Sequence, residues 1–147
     1  MKADLEHDVI RELAQFRYRL RCFLRFSERA ARACGITPQQ HQLMLGVAGF
    51  TTSGSATISE LAEFLQEKNH SVVGLVERAS ERGLVRRRNS SADRRQVVVT
   101  LTTRGKEILD HLSRIHHEEI QHLRKGMLFS RRLPRKRSID TSEERVR

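Results

Sequence analysis

The sequence predicts a mainly α chain with one small β-hairpin set between long helices, and three observations predict it. The first is the run from Thr57 to Thr102, where a short amphipathic helix, a second helix and an Arg-rich hairpin follow one another without a break. The second is the stretch from Asp4 to Cys34, which holds no Gly or Pro and repeats apolar residues in alternating steps of three and four. The third is a stretch after Thr102 that keeps helical spacing up to Gly126.

Each element follows from its own residues. Leu5, Val9, Leu13, Phe16, Leu20 and Phe23 or Leu24 form one stripe, so residues 4 to 34 read as one long helix that Gly35 ends. Thr37 is placed as a cap and Pro38 as the first helical residue, giving a second helix from Pro38 to about Ala48. Gly49 to Ser55 reads as a loop. Thr57 and Glu60 have capping-box spacing, and Ile58, Leu61, Ala62 and Leu65 share one face of a short helix. After a polar turn around Gln66 to Asn69, the next helix spans 68–82. It buries Val72, Leu75, Val76 and Ala79 and turns Asn69, His70, Val73, Gly74, Glu77 and Arg78 outward. Gly83 stops it as a left-handed cap would.

Two β-rich runs follow, Leu84 to Arg86 and Gln96 to Leu101, around an exposed loop of 87–95 that carries Asn, Ser, Asp and Arg. Thr102 caps a last helix with Ile108, Leu109, Leu112, Ile115, Glu119 and Leu123 on its stripe. Helix, turn, helix and hairpin in this order read as a winged helix-turn-helix, and such a unit implies double-stranded DNA as partner. An Arg-rich hairpin can also be a solvated edge that discourages strand pairing. Here Arg86, Arg87, Arg88, Arg94 and Arg95 gather beside a helix whose outer face is small and polar, and guanidinium suits phosphate oxygens and narrow minor grooves.

The same residues carry a resemblance to the MarR family of bacterial transcription regulators that covers most of the chain. Its motifs are Leu75-Val76-Glu77-Arg78, the Gly-Leu-Val-x-Arg run at 83 to 87, Asp93-Arg94-Arg95 and the Leu-Thr-x-x-Gly run at 101 to 105. The resemblance implies a homodimeric regulator, a repressor, whose recognition helices enter successive major grooves of a pseudo-palindromic operator. Arg95 would reach a minor groove and Asp93 would orient the wing through an ion pair. The DNA-facing set is then Lys68, Asn69, His70, Ser71 and Arg78 with Arg86, Arg87, Arg88, Asp93, Arg94 and Arg95. Val73 and Gly74 stand where many relatives carry Thr and Arg, which moves base readout toward Asn69 and His70.

Composition agrees with a polyanionic partner. The chain has 147 residues, 37% of them hydrophobic, and a formal net charge of +10 from 28 Lys and Arg against 18 Asp and Glu. No apolar run approaches the roughly 20 residues of a membrane span, and the start resembles no signal peptide, so a cytoplasmic protein without membrane contact is expected. Four segments result: an N-terminal dimerisation helix at 1–36, a DNA-binding lobe at 37–102, a C-terminal dimerisation helix at 103–126 and a basic tail at 127–147. Two long helices overhanging one small lobe would bury their stripes against a second copy, which predicts a symmetric homodimer. The tail holds Pro134 among Arg131, Arg132, Arg135, Lys136 and Arg137, which favours a mobile basic arm adding phosphate contacts.

Cys22 and Cys34 lie about 18 Å apart on one helix, which excludes a disulfide between them. Cys22 suits a buried inert thiol, although Arg19, Arg21 and Arg25 would favour a redox-sensing thiolate if it were exposed. His111, His116, His117 and His122 are spaced as solvated or interfacial residues rather than as a metal site. The resemblance suggests a small aromatic or phenolic effector in the cleft between the dimerisation helices and the DNA-binding lobe, with Phe16, His41 and Met44 as lining. Nothing points to an enzyme or a cofactor: Ser53-Gly54-Ser55 is no nucleophile elbow, and no phosphate loop is present. The readings that compete with a sequence-specific regulator are an architectural DNA binder, which would use the same cations without base choice, and a thiol-based redox regulator.

Overall fold

A computed structural model describes residues 2–130, with side-chain surroundings for 6–125. The order is α1 (Lys2–Ala33), α2 (Pro38–Gly49), β1 (Ser55–Thr57), α3 (Ile58–Leu65), α4 (Asn69–Glu81), β2 (Val85–Asn89), β3 (Val97–Leu101) and α5 (Thr103–Ser130). The fold is mostly helical with one antiparallel sheet of three strands, in the order β1-β3-β2.

The boundaries have local causes. Gly35 has φ +75 and turns the chain from α1 into α2. Thr37 Oγ1 accepts from Gln40 N while Thr37 N donates to Gln40 Oε1, closing a capping box with Pro38 in the first turn. Thr57 and Glu60 make the same reciprocal pair at the start of α3. Gly83, φ +67, lets the chain leave α4 and enter β2 directly.

The Leu-Thr-x-x-Gly run is explained by one junction. Thr102 Oγ1 donates to Gly83 O at 2.6 Å and accepts from Gly105 N at 3.0 Å, so a single hydroxyl ties the end of α4 to the start of α5. A Cβ on Gly105 would collide with the carbonyl oxygen of Leu84, so this position requires Gly.

The core lies where α1, α2, α4, the sheet and α5 meet. Leu43, Met44, Leu61, Val72, Val76, Leu84, Val85, Val99 and Leu112 are all buried, with Ala31 and Leu109 extending the cluster onto the long helices. Most of the stripe on α1 stays outside it. Val9, Leu13 and Phe16 are 58%, 58% and 46% exposed in the single chain.

Several expectations are corrected. The segment expected as a loop at Gly49 to Ser55 ends in a strand, because Ser55, Ala56 and Thr57 pair with Thr100, Val99 and Val98. Three residues are too few to show an alternating pattern. Strand β2 runs to Asn89 rather than Arg86, so Arg87 and Arg88 belong to a ladder opposite Val99 and Val98 and not to the loop. The helix expected over 68–82 spans Asn69–Glu81, with Lys68 and Arg82 as its caps. The last helix passes Gly126 and continues to Ser130, since one Gly does not stop a helix. The basic tail of 127–147 is therefore helical at its first four positions, and the remainder lies outside the described residues.

Candidate nucleic-acid interface

Helix α4 turns Val72, Val76 and Ala79 into the core, which fixes what it presents outward. His70 and Gly74 lie on the line opposite those residues. Ser71 and Arg78 flank that line on one side, Asn69, Val73 and Glu77 on the other. Lys68, Asn69, His70, Ser71, Val73, Glu77 and Arg78 are all exposed. Ser71 and Arg78 border a groove shared with Gln39 and Gln42 of α2 and with Glu67. The missing side chain at Gly74 leaves room for Arg78, whose Nη1 lies 3.3 Å from where a Cβ would stand.

The start of α4 differs from those of α2 and α3. Lys68 at the cap makes no side-chain hydrogen bond to the first turn, and that turn carries no acidic residue. Its first backbone N–H groups are left for an outside acceptor, and the positive end of the helix favours an anion there. Sequence reasoning missed this feature, though the signal was present: Lys stands where Ser, Thr, Asp or Asn would cap.

The hairpin β2–β3 projects beside α4. Arg86, Arg87, Arg88, Arg94 and Arg95 are all exposed, but they do not act as one cluster. Arg87 shares a strand face with Val85, two residues earlier, and its Nη1 reaches Glu77 Oε1 at 3.3 Å. Arg86 and Arg88 occupy the opposite face of β2. Asp93 holds the tip by accepting from Arg95 N at 2.9 Å, a backbone hydrogen bond in place of the expected ion pair. Gln96 N donates to Asp93 O, and Ser90 N to Gln96 O, which closes the tip. Asp93, Arg95 and Gln96 border a shallow groove with Thr57, Ile58 and Ser59, so Arg95 is displayed at the junction of the hairpin and α3.

A second group lies at the junction of the long helices with the lobe. His41 and Met44 are buried on α2, at 2% and 0% exposure, but the α1 rings beside them are not Phe16. Phe23 and Phe26 meet His116 edge-on at 5.9 and 5.2 Å, and His41 lies 4.9 Å from the same ring. His116 was expected at a solvated or interfacial position and is buried instead. Its Nδ1 lies 2.7 Å from Leu112 O, and its Nε2 has no partner. The spacing Leu109, Leu112, His116 put it on the buried stripe, a signal that reading the histidines as a group obscured. Burial, with repulsion from His116 second, lowers the pKa of His41 from 6.5 to about 4.

Cys22 is exposed rather than buried, and Cys34 is half-buried against the core. Among the described residues no group of three or more His, Cys, Asp or Glu is arranged to hold a metal ion, and no helix is long and apolar enough to cross a membrane.

A helix packed across a short helix, with a basic hairpin beside its exposed face, defines a winged helix-turn-helix. Residues 35–96 match the model of the MarR family. The chain thus carries a winged helix-turn-helix lobe similar to what that model describes. It is 33% identical over 84 residues to an uncharacterized HTH-type transcriptional regulator, YfiV of Bacillus subtilis (strain 168), covering 57% of this chain and spanning about half (50%) of that relative's length. The fold is similar to that of AbsC, a MarR family transcriptional regulator from Streptomyces coelicolor, with a TM-score of 0.67, 20% identity and coverage of 81% of this chain and 78% of the other. A mutant of MepR from S. aureus, solved bound to an oligodeoxyribonucleotide, gives a TM-score of 0.62 at 21% identity, covering 76% and 80% of the two chains.

Proposed function

We propose that this chain is a sequence-specific, DNA-binding transcription regulator of the MarR type. It acts as a homodimer, with α4 in the major groove and the hairpin tip in the minor groove. The observation that carries this reading is the uncapped, basic start of α4 beside five exposed arginines on one hairpin. Guanidinium groups and free helix N–H groups are the donors that fit phosphate oxygens, and a helix is the element that enters a major groove. The similarity to a regulator solved on an oligodeoxyribonucleotide supports the same partner.

Within this reading Asn69 and His70 meet base edges, Lys68 and Ser71 meet phosphates near the helix start, and Arg78 meets the backbone on the α2 side. Arg86, Arg88, Arg94 and Arg95 supply the wing contacts. The exposed Val9, Ile10, Leu13, Phe16, Leu20 and Leu24 of α1 support dimerisation, since a stripe of this size is costly to leave in water. Repression from a cytoplasmic pool, and relief by a small aromatic or phenolic effector near His41 and Met44, complete the proposal.

The test is in vitro selection of bound duplexes from genomic fragments at physiological salt, which suppresses non-specific binding. A shared pseudo-palindrome with half-sites about one helical turn apart is expected. Recovery without any shared sequence would favour the architectural reading, for which the small outward residues Val73 and Gly74 speak. The exposed Cys22 speaks for a redox-sensing regulator: loss of DNA binding in peroxide that Cys22→Ser abolishes would establish it.

A further inference from the structure

We propose that Glu77 and Arg87 are positioning residues that set the wing against the recognition helix, and thereby set how strongly the protein prefers its own site over bulk DNA. The proposal rests on the DNA-binding reading above and adds to it a specificity device inside the lobe.

The ion pair of Glu77 and Arg87 joins two elements. That of Asp8 and Arg11 lies within α1, whereas Glu77 is on α4 and Arg87 on β2, with Nη1 and Oε1 3.3 Å apart. Strand alternation explains why Arg87 alone of three consecutive arginines makes this contact. Arg87 shares the face of the buried Val85, which packs toward the lobe, and Arg86 and Arg88 take the other face.

The pair ties β2 to α4 at the level of Val99, one step inside the last residue of β3 that β1 supports. At its base the hairpin is fixed by the Gly83 turn and by Thr102 Oγ1 bonding to Gly83 O and Leu84 O. Strand β1 supports β3 as far out as Val98, opposite Thr57. Beyond that, Asn89 pairs with Val97, and the backbone hydrogen bonds of the tip, from Ser90 to Gln96, stay within the hairpin. A base fixed at Gly83 and a second tie at Arg87 determine an angle. That angle decides whether the tip arginines and the α4 face meet successive grooves together.

Both side chains are about half exposed, at 47% and 52%, so the pair adds little to the stability of the free protein. When a duplex covers it, water leaves and the same attraction strengthens. Arg87 also neutralises a carboxylate on the face turned toward phosphates, at the cost of one phosphate contact of its own.

Charge counting and positioning make opposite predictions for Glu77→Gln. Removing a negative charge beside a polyanion should tighten binding to every duplex. Loosening the wing should instead weaken binding to the preferred site relative to a scrambled one. The experiment measures affinity for a duplex recovered by selection with the unmodified chain and for a scrambled duplex of the same length. It compares Glu77→Gln, Arg87→Glu, Glu77→Arg and the charge swap that combines the last two, with thermal melts confirming that each variant folds.

The expected result is a fall of about tenfold in the ratio of the two affinities for Glu77→Gln and for each single reversal, with recovery to within about threefold in the swap. An unchanged ratio in Glu77→Gln, or a swap no better than Arg87→Glu, would overturn the proposal. If the unmodified chain shows no preferred sequence, the regulator reading has failed separately. Amide exchange of the wing peptide at 86–97 in the free chain then decides this one: faster exchange in Arg87→Glu that the swap restores supports the tie, and equal exchange in all variants overturns it.

Discussion

Arg95 and Asn69 are both exposed polar residues, and the proposed reading gives them different work. Arg95 stands on a hairpin tip whose shape comes from Asp93 accepting its backbone N–H, so its guanidinium is free for phosphate or groove contact. Arg95→Ala is expected to weaken binding to all duplexes and to reduce the salt slope, whereas Asn69→Ala should cost about 1–3 kcal/mol on the preferred site and change which bases are preferred. Binding isotherms on selected and scrambled duplexes check both, and equal relative losses on every sequence would contradict the assigned roles.

His41 gives a prediction of another kind. Its pKa is about 4 in the folded chain against 6.5 in an unfolded one, because burial and then the adjacent His116 penalise the cation. Between those values the unfolded chain binds more protons, so stability is full above pH 6.5 and falls as pH drops toward 4, by up to about 3 kcal/mol. Urea midpoints at pH 7 and 4.5 measure the loss, and His41→Leu should reduce it. The charged residues of this surface were legible in the sequence because charge needs no partner to be noticed. The burial of His116 was not, since it depends on Phe23 and Phe26 reaching it from another helix.

Elements were legible where their ends carry their own chemistry. Thr37, Pro38, Thr57, Glu60, Gly35 and Gly83 mark boundaries through local hydrogen bonds or backbone conformation, and all of them do so in the fold. Strand β1 and the outer half of β2 escaped, because a strand of three residues exists only through its pairing with β3, and Arg86-Arg87-Arg88 gives no alternation to read. The Leu-Thr-x-x-Gly run was visible as a motif without its reason. That reason is the contact of Gly105 with Leu84 O, and it predicts that Gly105→Ala shifts the wing junction and costs about 1–3 kcal/mol in thermal or denaturant unfolding. A stability equal to that of the unmodified chain would show that the junction can relax.

At the scale of the whole molecule, the long helices extend beyond the core that holds the lobe together. The apolar stripe on α1 is exposed in a single chain, as the proposed pairing with a second copy requires. Leu13→Glu combined with Phe16→Glu is expected to give a monomeric mass by light scattering while leaving the lobe folded; a dimeric mass would move the interface elsewhere. In the proposed dimer, pairing would fix the distance between two recognition helices and so the spacing of the half-sites they read. The central claim is sequence-specific recognition by two copies of this chain. The measurement that tests it most directly is the ratio of affinities for a selected duplex and its scrambled counterpart at physiological salt, with stoichiometry read in the same titration. The account predicts a ratio of about 10³ or more with two chains per duplex. A ratio near one, together with a steep salt slope, would contradict it.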